Sequence, residues 1–185
     1  MEPDDSALWA RARTGDADAF GTLFERHANA IYNYCFRRVG DWATAEDLLS
    51  VVFLEAWRRR DKALVPEKVL PWLYGIATNV VRNQRRSERR YAAALRRMPP
   101  SDQGSVGRED DRLDDVLSQV RQLPRREQEV FALCGWFDLS YEDAALALAI
   151  PVGTVRSRLS RARARLRELD PAKPQPVPEV SSRDR

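Results

Sequence analysis

Six arginines on one predicted helix are the residues whose type and spacing most clearly indicate a chemistry in this chain. They lie between Thr154 and Leu169, where Glu168 is the only acid: Arg156, Arg158, Arg161, Arg163, Arg165 and Arg167. A solvated helix usually mixes both signs of charge, so that residues four apart attract each other. Six cations beside one anion repel one another unless a polyanion neutralises them. The pattern therefore favours nucleic-acid binding over a merely soluble surface helix.

The elements that carry these arginines have the pattern of a helix-turn-helix. Ser140 and Asp143 have capping-box spacing and predict the start of a short first helix. Pro151 predicts a second helix after a tight turn, because its missing N–H costs nothing in a first turn. Apolar residues then recur three or four apart, off the arginine positions: Val155, Leu159, Ala162, Leu166 and Leu169. A short helix, a turn and a basic second helix suit the DNA major groove.

The net charge of this 185-residue chain, +3, hides a strong separation of charge along the sequence. Residues 82–97 contain seven arginines and one acid, whereas residues 101–115 contain six acids and two arginines. Alternating blocks of this kind indicate basic, DNA-facing surfaces separated by an acidic connector.

Composition also excludes several classes of protein. No apolar run approaches the roughly 20 residues of a membrane span, and the first residues lack a signal-peptide core, so we expect a cytoplasmic protein without membrane insertion. With His27 as the lone histidine, no Cys-x-x-Cys and no Gly-rich phosphate loop, the sequence predicts no metal site, cofactor, catalytic residue or small-molecule substrate, and hence no enzyme. Cys35 and Cys134 lie in apolar helical patterns, which favours buried thiols over a redox pair.

The periodicity is helical almost throughout and predicts an all-α fold of two small helical domains joined by a flexible linker, the C-terminal one a helix-turn-helix. Each domain has enough apolar residues for a core of its own. The tail is rich in proline, lacks an apolar face and is predicted to be disordered. The predicted boundaries are 6–92 for the first domain, 93–112 for the linker, 113–169 for the second domain and 170–185 for the tail.

A second basic helix is predicted from Glu67 or Lys68 to about Arg90, with Pro71 either in its first turn or at its true start. An aromatic ring, amides and guanidinium groups lie off its buried stripe: Trp72, Asn79, Arg82, Asn83 and Arg86. Rings stack on bases, amides bind base edges and guanidiniums hold phosphates, so this set suits single-stranded nucleic acid. The alternative, a core Trp72 beside a solvated basic helix end, is equally compatible with the pattern for Trp72.

The helix before it carries a different signal. Thr44 and Asp47 have capping-box spacing, and a strongly apolar stripe follows. Val51 and Leu54 widen that stripe beyond one face, with Glu55 among the acids nearby. The pattern is typical of a helix that binds a protein partner, or of one buried on two sides by its own domain.

Four segments, in this order, resemble those of extracytoplasmic-function (ECF) sigma factors, the smallest class of the sigma-70 family. The resemblance spans about residues 6–169, and its most specific part is PVGTVRSRLSRAR. The matching segments are AEDLLSVVFLEAWRR at 45–59, PWLYGIATNVVRNQRR at 71–86, LPRREQEVFAL at 123–133 and LSYEDAALALAIPVGTVRSRLSRARARLR at 139–167.

The resemblance implies an RNA polymerase sigma factor that binds core polymerase and directs initiation at promoters with −10 and −35 elements. The two domains resemble regions 2 and 4, and the implied partners are the β′ clamp helices and β flap of polymerase, promoter DNA and an anti-sigma factor. It places Asp47, Leu48 and Phe53 on the β′ subunit. It places Asn79 on a flipped −10 base, flanked by Trp72, Arg82 and Arg86. It places Arg156, Ser157, Ser160 and Arg161 on the −35 element.

Four positions depart from the family pattern. Ser50 and Val51 replace a usual Gln-Glu pair, which predicts a more apolar polymerase contact. Gly75 replaces a common arginine and removes one phosphate contact. Ala149 replaces the usual turn glycine, so we expect Ile150 or its neighbour to form the turn without glycine's freedom for positive φ.

Two other functions fit parts of the sequence. A free-standing helix-turn-helix regulator would bind duplex DNA without polymerase, but it needs no helix suited to single strands such as 71–90. An adaptor that binds only protein would not need the arginine-rich helix.

Overall fold

Eight α-helices make up most of the residues described by this computed structural model, namely 3–61, 68–96 and 111–169, and these residues contain no strand. The predicted all-α class is confirmed. Most of the predicted linker and the whole tail lie outside the described residues. The helices are α1 (Asp5–Arg13), α2 (Ala17–Val39), α3 (Trp42–Arg58), α4 (Val69–Leu95), α5 (Asp111–Gln122), α6 (Arg125–Phe131), α7 (Tyr141–Leu148) and α8 (Val152–Leu169), with a π-helical turn over Ala132–Trp136 after α6.

Aspartates cap the first three helices. The carboxylates of Asp4, Asp16 and Asp41 accept hydrogen bonds from backbone N–H groups three residues later, at 2.7, 3.0 and 2.9 Å. The predicted Thr44–Asp47 capping box is therefore wrong, since α3 begins three residues earlier. Its cap is Asp41, which binds both the amide and the hydroxyl of Thr44. Helix α2 ends at Gly40, whose φ of 72° is the left-handed conformation that favours glycine.

Helices α1 to α4 enclose a core in which large side chains are fully buried. Trp9 of α1 is completely inaccessible, and the hydroxyl of the equally buried Tyr34 lies 2.7 Å from that of Thr78. Pro71 lies in the first turn of α4, which is one of the two predicted positions. Cys35 is buried here, and burial raises the pKa of its thiol to about 12. Cys134, in contrast, is only partly buried.

The helix-turn-helix forms as the spacing predicts. The Ser140 hydroxyl accepts a hydrogen bond from the Asp143 backbone N–H at 3.0 Å and caps α7. Ala149, the neighbour of Ile150, adopts the left-handed conformation, with φ of 51° and ψ of 48°, which agrees with the expectation that Ile150 or its neighbour forms the turn without glycine. The physical reason is that Ala149 occupies the position that ends α7, where the chain must reverse. The first three residues of the α8 stripe are buried: Val155, Leu159 and Ala162.

The two helical domains share one apolar core. The ring of Phe137, which follows the π-helical turn, lies 5.7 Å from that of Tyr34 and 5.5 Å from that of Tyr74. Helix α7 packs against α4. The sequence predicted a core for each domain but did not predict this packing between them. No helix within the described ranges is long and apolar enough to cross a membrane.

Candidate nucleic-acid and polymerase interfaces

One face of α8 presents all four predicted −35 residues to solvent. Val155 and Leu159 point into the core on the opposite face. The exposed residues lie one helical turn apart in two pairs: Arg156 and Ser160, and Ser157 and Arg161. Helical spacing therefore brings two guanidiniums and two hydroxyls together on one surface, a set of donors that suits base edges and phosphates in a major groove.

Local contacts orient the two arginines of this face. The Arg156 guanidinium lies 5.8 Å from the centre of the Tyr141 ring, at the start of α7. Arg161 Nε donates a hydrogen bond to the Ser157 carbonyl oxygen at 3.2 Å. A weak cation–π contact and one backbone bond restrict the side chains without removing them from solvent, so they stay available to a ligand.

A buried acid that the sequence analysis missed binds the far end of α8. Arg165 Nη1 lies 2.6 Å from Glu127 Oε2, and Arg161 Nε lies 4.0 Å from Glu127 Oε1. Glu127 is on α6, and only 6% of its side chain is exposed. Arg165 thus joins α8 to α6 within the domain, and its charge is paired with that of Glu127.

The polar face of α4 carries three of the four predicted −10 residues, and one of these, Arg82, is bound to an acid of another helix. Asn79, Arg82 and Arg86 are exposed, and Arg82 Nη1 donates to Asn79 Oδ1 at 3.2 Å. Arg82 also donates two hydrogen bonds to the buried carboxylate of Glu129 on α6, at 2.7 and 2.6 Å. These hydrogen bonds raise the pKa of Arg82, so its guanidinium group stays positively charged at neutral pH. Glu129, which no sequence pattern indicated, therefore binds Arg82, a residue predicted to contact DNA.

Gln128, between the two buried glutamates, binds further arginines. Its side-chain oxygen accepts from Arg38 at 3.2 Å and from Arg85 at 3.1 Å, and its amide group donates to the carbonyls of Arg121 and Leu123. Burial and the nearby Arg38 lower the pKa of Arg85 to about 10, which leaves it charged at neutral pH. No local pattern in the sequence indicated these roles.

Trp72, for which two interpretations were open, makes a core contact. Its ring meets the fully buried Trp9 edge to face, with centroids 4.7 Å apart, and the side chain is half-buried. This position favours a structural role that leaves one edge of the ring at the surface.

A groove of about 420 Å³ runs between α3 and α4 beside Asn79. Leu48, Ile76 and Val80 supply apolar lining, whereas Asn79 and Asn83 supply amides. A groove with apolar walls and amide groups has the chemistry to hold an unstacked base, because the ring faces are apolar and the base edges form hydrogen bonds.

The predicted polymerase residues on α3 differ in exposure. Asp47 is at the surface, but Leu48 and Phe53 are each only 5% exposed. The Phe53 ring packs 4.8 Å from that of Phe24. The expectation that all three residues contact a partner directly is therefore wrong for Phe53, because its side chain fills the core beneath the surface. Leu48 exposes a small part of its side chain, in the groove between α3 and α4.

The exposed part of α3 is nevertheless apolar. Val51 and Leu54 are 41% and 47% exposed and lie near Asp47 along the helix. Val51 and Leu54 are the two residues predicted to widen the apolar stripe of α3, and they form its exposed apolar surface. Among the described residues, no group of three or more His, Cys, Asp or Glu side chains is placed to hold a metal ion.

Comparisons with known proteins agree with this arrangement. The profile of Sigma-70 region 2 matches residues 23–91, and that of Sigma-70, region 4 matches residues 113–166. The RNA polymerase sigma factor CarQ of Myxococcus xanthus is 33% identical over 165 residues, which cover 86% of this chain and 93% of CarQ. The ECF RNA polymerase sigma-E factor of Haemophilus influenzae is 30% identical over 180 residues, which cover 86% of this chain and 91% of that protein.

The fold is shared as well. The solved structure of the sigma factor RpoE in complex with the anti-sigma factor NepR, from Bartonella quintana, has a TM-score of 0.66 and 26% identity, and covers 81% of this chain and 95% of that one. The chain belongs to the sigma-70 family as an ECF sigma factor that directs promoter-specific initiation by RNA polymerase.

Proposed function

We propose that the two polar faces divide the promoter between them, with α8 on the −35 element and α4 on the −10 element. One observation carries this proposal: the chain has two separate helix faces that expose arginines with amides or hydroxyls above buried apolar stripes. Within this proposal, residues 6–92 form the region 2 domain and residues 113–169 form the region 4 domain.

At the −35 element, α8 enters the major groove as a recognition helix. Arg156 and Arg161 are long enough to reach guanine O6 and N7, where a bidentate pair discriminates against other bases by about 1–3 kcal/mol. Ser157 and Ser160 lie between them and donate to phosphates or base edges.

At the −10 element, α4 binds the strand that leaves the duplex. Asn79 binds the edge of a flipped base at the groove between α3 and α4, and Arg82 and Arg86 hold the adjacent phosphates. Trp72, fixed on Trp9, supports the start of this helix and presents its edge to the strand. Flipping costs a few kcal/mol, so capture of the base selects sequence as well as opening the duplex.

Core polymerase binds the exposed surface of α3. Asp47, Val51 and Leu54 offer one charge beside two apolar side chains, which fits the β′ clamp helices that the family resemblance implies. The same resemblance implies the β flap as a partner of the C-terminal domain. The chain itself performs no catalysis, since polymerase forms the phosphodiester bonds.

An anti-sigma factor is the partner we propose for regulation. RpoE of Bartonella quintana, which shares this fold, is solved with the anti-sigma factor NepR. We place both the activity and its control in the cytoplasm, where RNA polymerase works.

Run-off transcription with core polymerase and a promoter library tests the proposal, with Asn79→Ala as the decisive variant. We expect this variant to reduce promoter opening roughly 5–150-fold, by the 1–3 kcal/mol of a lost base contact, while closed-complex binding changes less. Permanganate reactivity of the −10 thymines measures opening. Asn33→Ala is the matched control, because Asn33 lies on α2 and, among the residues that the structure describes, its side-chain amide donates to Asn29 Oδ1 in the same helix. Equal permanganate footprints for both variants and the unmodified protein would contradict the role of Asn79.

A further inference from the structure

A groove of about 440 Å³ lies between the second half of α4 and the junction of α5 with α6. Its volume is within the range of about 300–1,000 Å³ that small-molecule sites in proteins occupy. Leu123 and Pro124 supply apolar lining, and no residue that we assign to the promoter or to polymerase is among its described lining residues. The rest of this arginine groove is lined mainly by Arg85 and Arg89 from α4, Arg121 from α5 and Arg125 from α6.

A buried arginine contacts two residues of this lining. Arg38 of α2 is 4% exposed, and its Nη1 donates a hydrogen bond to Gln128 Oε1 at 3.2 Å. Arg85 Nη1 donates to the same oxygen at 3.1 Å, and Arg85 Nη2 donates to the carbonyl oxygen of Arg38. One neutral amide oxygen therefore holds two guanidinium groups together, whereas buried guanidiniums are usually paired with a carboxylate.

The described part of the chain does not neutralise the positive charge of this set. None of its five guanidinium groups forms an ion pair with a described carboxylate, and Nε of Arg38 is buried without a hydrogen-bond partner there. Against these five cations the described lining has one acid, Glu88, so the net charge is +4. Burial and the nearby Arg38 and Arg125 lower the pKa of Arg85 to about 10. The fold thus holds cations together at a cost that a bound anion would reduce.

The neighbouring positions of α6 show the difference. Glu127 binds Arg165 and Glu129 binds Arg82, each at 2.6 Å, so these arginines are neutralised within the fold. Gln128, between the two glutamates, offers an amide to the arginine groove. An amide oxygen orients a guanidinium group without cancelling its charge, so the groove keeps its attraction for an external anion.

The density of charge indicates the class of anion. Each phosphodiester of a nucleic-acid strand carries one negative charge, and sugars separate successive charges along the strand. A terminal phosphate carries about −1.5 to −2 at pH 7, and a second phosphate joined to it adds further charge in the same small volume. Guanidinium groups also match phosphate oxygens in geometry. Four arginines that converge on one groove therefore match a diphosphate group better than a strand backbone.

We propose that the arginine groove binds a small anion with a diphosphate group, either inorganic pyrophosphate or the diphosphate of a nucleotide. Arg85, held by Gln128 and by the Arg38 carbonyl, donates from a fixed position. The exposed Arg89 and Arg121 supply further donors from two different helices. The site goes beyond the proposed function, because it uses none of the arginines that we assign to the promoter.

Isothermal titration calorimetry of the full chain tests the proposal in a buffer free of phosphate and sulfate. We expect one site, with an affinity for pyrophosphate at least about tenfold higher than for orthophosphate at equal ionic strength, because a single phosphate reaches fewer guanidinium groups. ADP that binds more tightly than pyrophosphate would identify a nucleotide as the source of the diphosphate, and the reverse order would identify pyrophosphate. Equal, weak binding of pyrophosphate and orthophosphate would overturn the proposal.

A double variant, Arg89→Gln with Arg125→Gln, tests the position of the site. We expect it to weaken pyrophosphate binding at least about tenfold, while Arg85 keeps its bonds to Gln128 and Arg38. Arg58→Gln with Arg59→Gln is the matched control, because it removes the same charge from exposed side chains on α3 and at its end. This control should bind pyrophosphate like the unmodified chain. Equal losses in the two double variants would show that only overall charge matters and would refute the site.

Glu88→Gln tests the same groove in the opposite direction. It removes the acid that repels an anion there, so we expect pyrophosphate to bind about 2–5-fold more tightly. Glu88 is exposed and accepts a hydrogen bond from Gln84 in its own helix, so the variant should fold normally. A purely structural role for Glu88 would not raise the affinity. Unchanged or weaker binding would place the anion elsewhere and overturn the assignment to this groove.

A single-stranded oligonucleotide without a −10 sequence separates this site from nucleic-acid binding. We expect the double variant at Arg89 and Arg125 to bind it less than about threefold more weakly than the α3 control, because strand affinity depends on charges spread over a longer surface. A large loss of oligonucleotide affinity, with no calorimetric signal for pyrophosphate in the unmodified chain, would mean that the groove binds a strand backbone and would refute the proposal. The promoter assay with Asn79→Ala tests the proposed function separately.

Discussion

The two domains of this sigma factor expose their proposed contact residues to different degrees. In the C-terminal domain, all four −35 residues of α8 lie at the surface, and Arg161 lies 4.0 Å from the carboxylate of Glu127. In the N-terminal domain, Phe53 lies in the core, Trp72 is half-buried, and Arg82 is bound to Glu129. Residues that were assigned similar contact roles thus differ in how accessible they are to a ligand. Tertiary contacts, rather than the helix pattern, decide which of them a ligand can reach.

The largest expected effect separates core from surface on α3. Phe53→Ala should lower the free energy of unfolding by about 3–5 kcal/mol, because it removes a ring buried against Phe20 and Phe24. The adjacent Leu54→Ala, at a side chain 47% exposed, should change stability by less than about 1 kcal/mol but weaken binding to core polymerase. Urea unfolding measures the stability of both variants, and a pull-down measures their binding to core polymerase. Equal loss of stability in both variants would show that the surface of α3 is not free for a partner.

An intermediate effect separates two arginines of α8. Arg156→Ala should relax discrimination at one −35 base pair by about 1–3 kcal/mol and leave stability unchanged. Arg165→Ala should instead lower the free energy of unfolding by about 1 kcal/mol. It leaves the buried Glu127 without its partner, but the Arg165 side of the pair is 46% exposed, so water already weakens the interaction. Binding to a panel of −35 variants, together with thermal unfolding, distinguishes the two. Identical profiles across the panel would remove the base-contact role of Arg156.

The smallest effect concerns the turn before α8. Ala149→Gly should raise the free energy of unfolding by about 0.5–1 kcal/mol, because glycine adopts a φ of 51° without the strain that a Cβ causes. Ala145→Gly, within α7, should lower it by a similar amount, since glycine is a poor residue in a helix interior. The two changes are compared by urea unfolding. A loss of stability in Ala149→Gly would mean that the unfolded-chain entropy of glycine outweighs the relief of strain.

The buried face of α8 was predictable because helical periodicity is local. Val155, Leu159 and Ala162 were expected to point inward from spacings of three and four, and all three are buried. Ser140 was likewise identifiable as a cap because its partner amide is three residues away. The cap of α3 was misplaced for an equally local reason. Asp41 and Thr44 are both good capping residues, and only the backbone geometry selects Asp41.

The roles of Glu127, Gln128 and Glu129 were not predictable from local pattern. Their arginine partners lie 38, 90 and 47 residues away in the sequence, on α8, α2 and α4. Three consecutive polar residues in a helix ordinarily indicate a solvated face, yet all three are buried. Their burial depends on arginines of remote helices, which only tertiary packing brings to them.

The sequence by itself determined the helices, their buried stripes and the two basic faces, because propensity, capping and periodicity act over a few residues. It also carried the family motifs in order. Only the tertiary structure decided which arginines are free and which are bound, and that Gly75 allows α7 to pack on α4. Charge pairing and close backbone approach depend on distances between remote segments, which no local pattern contains.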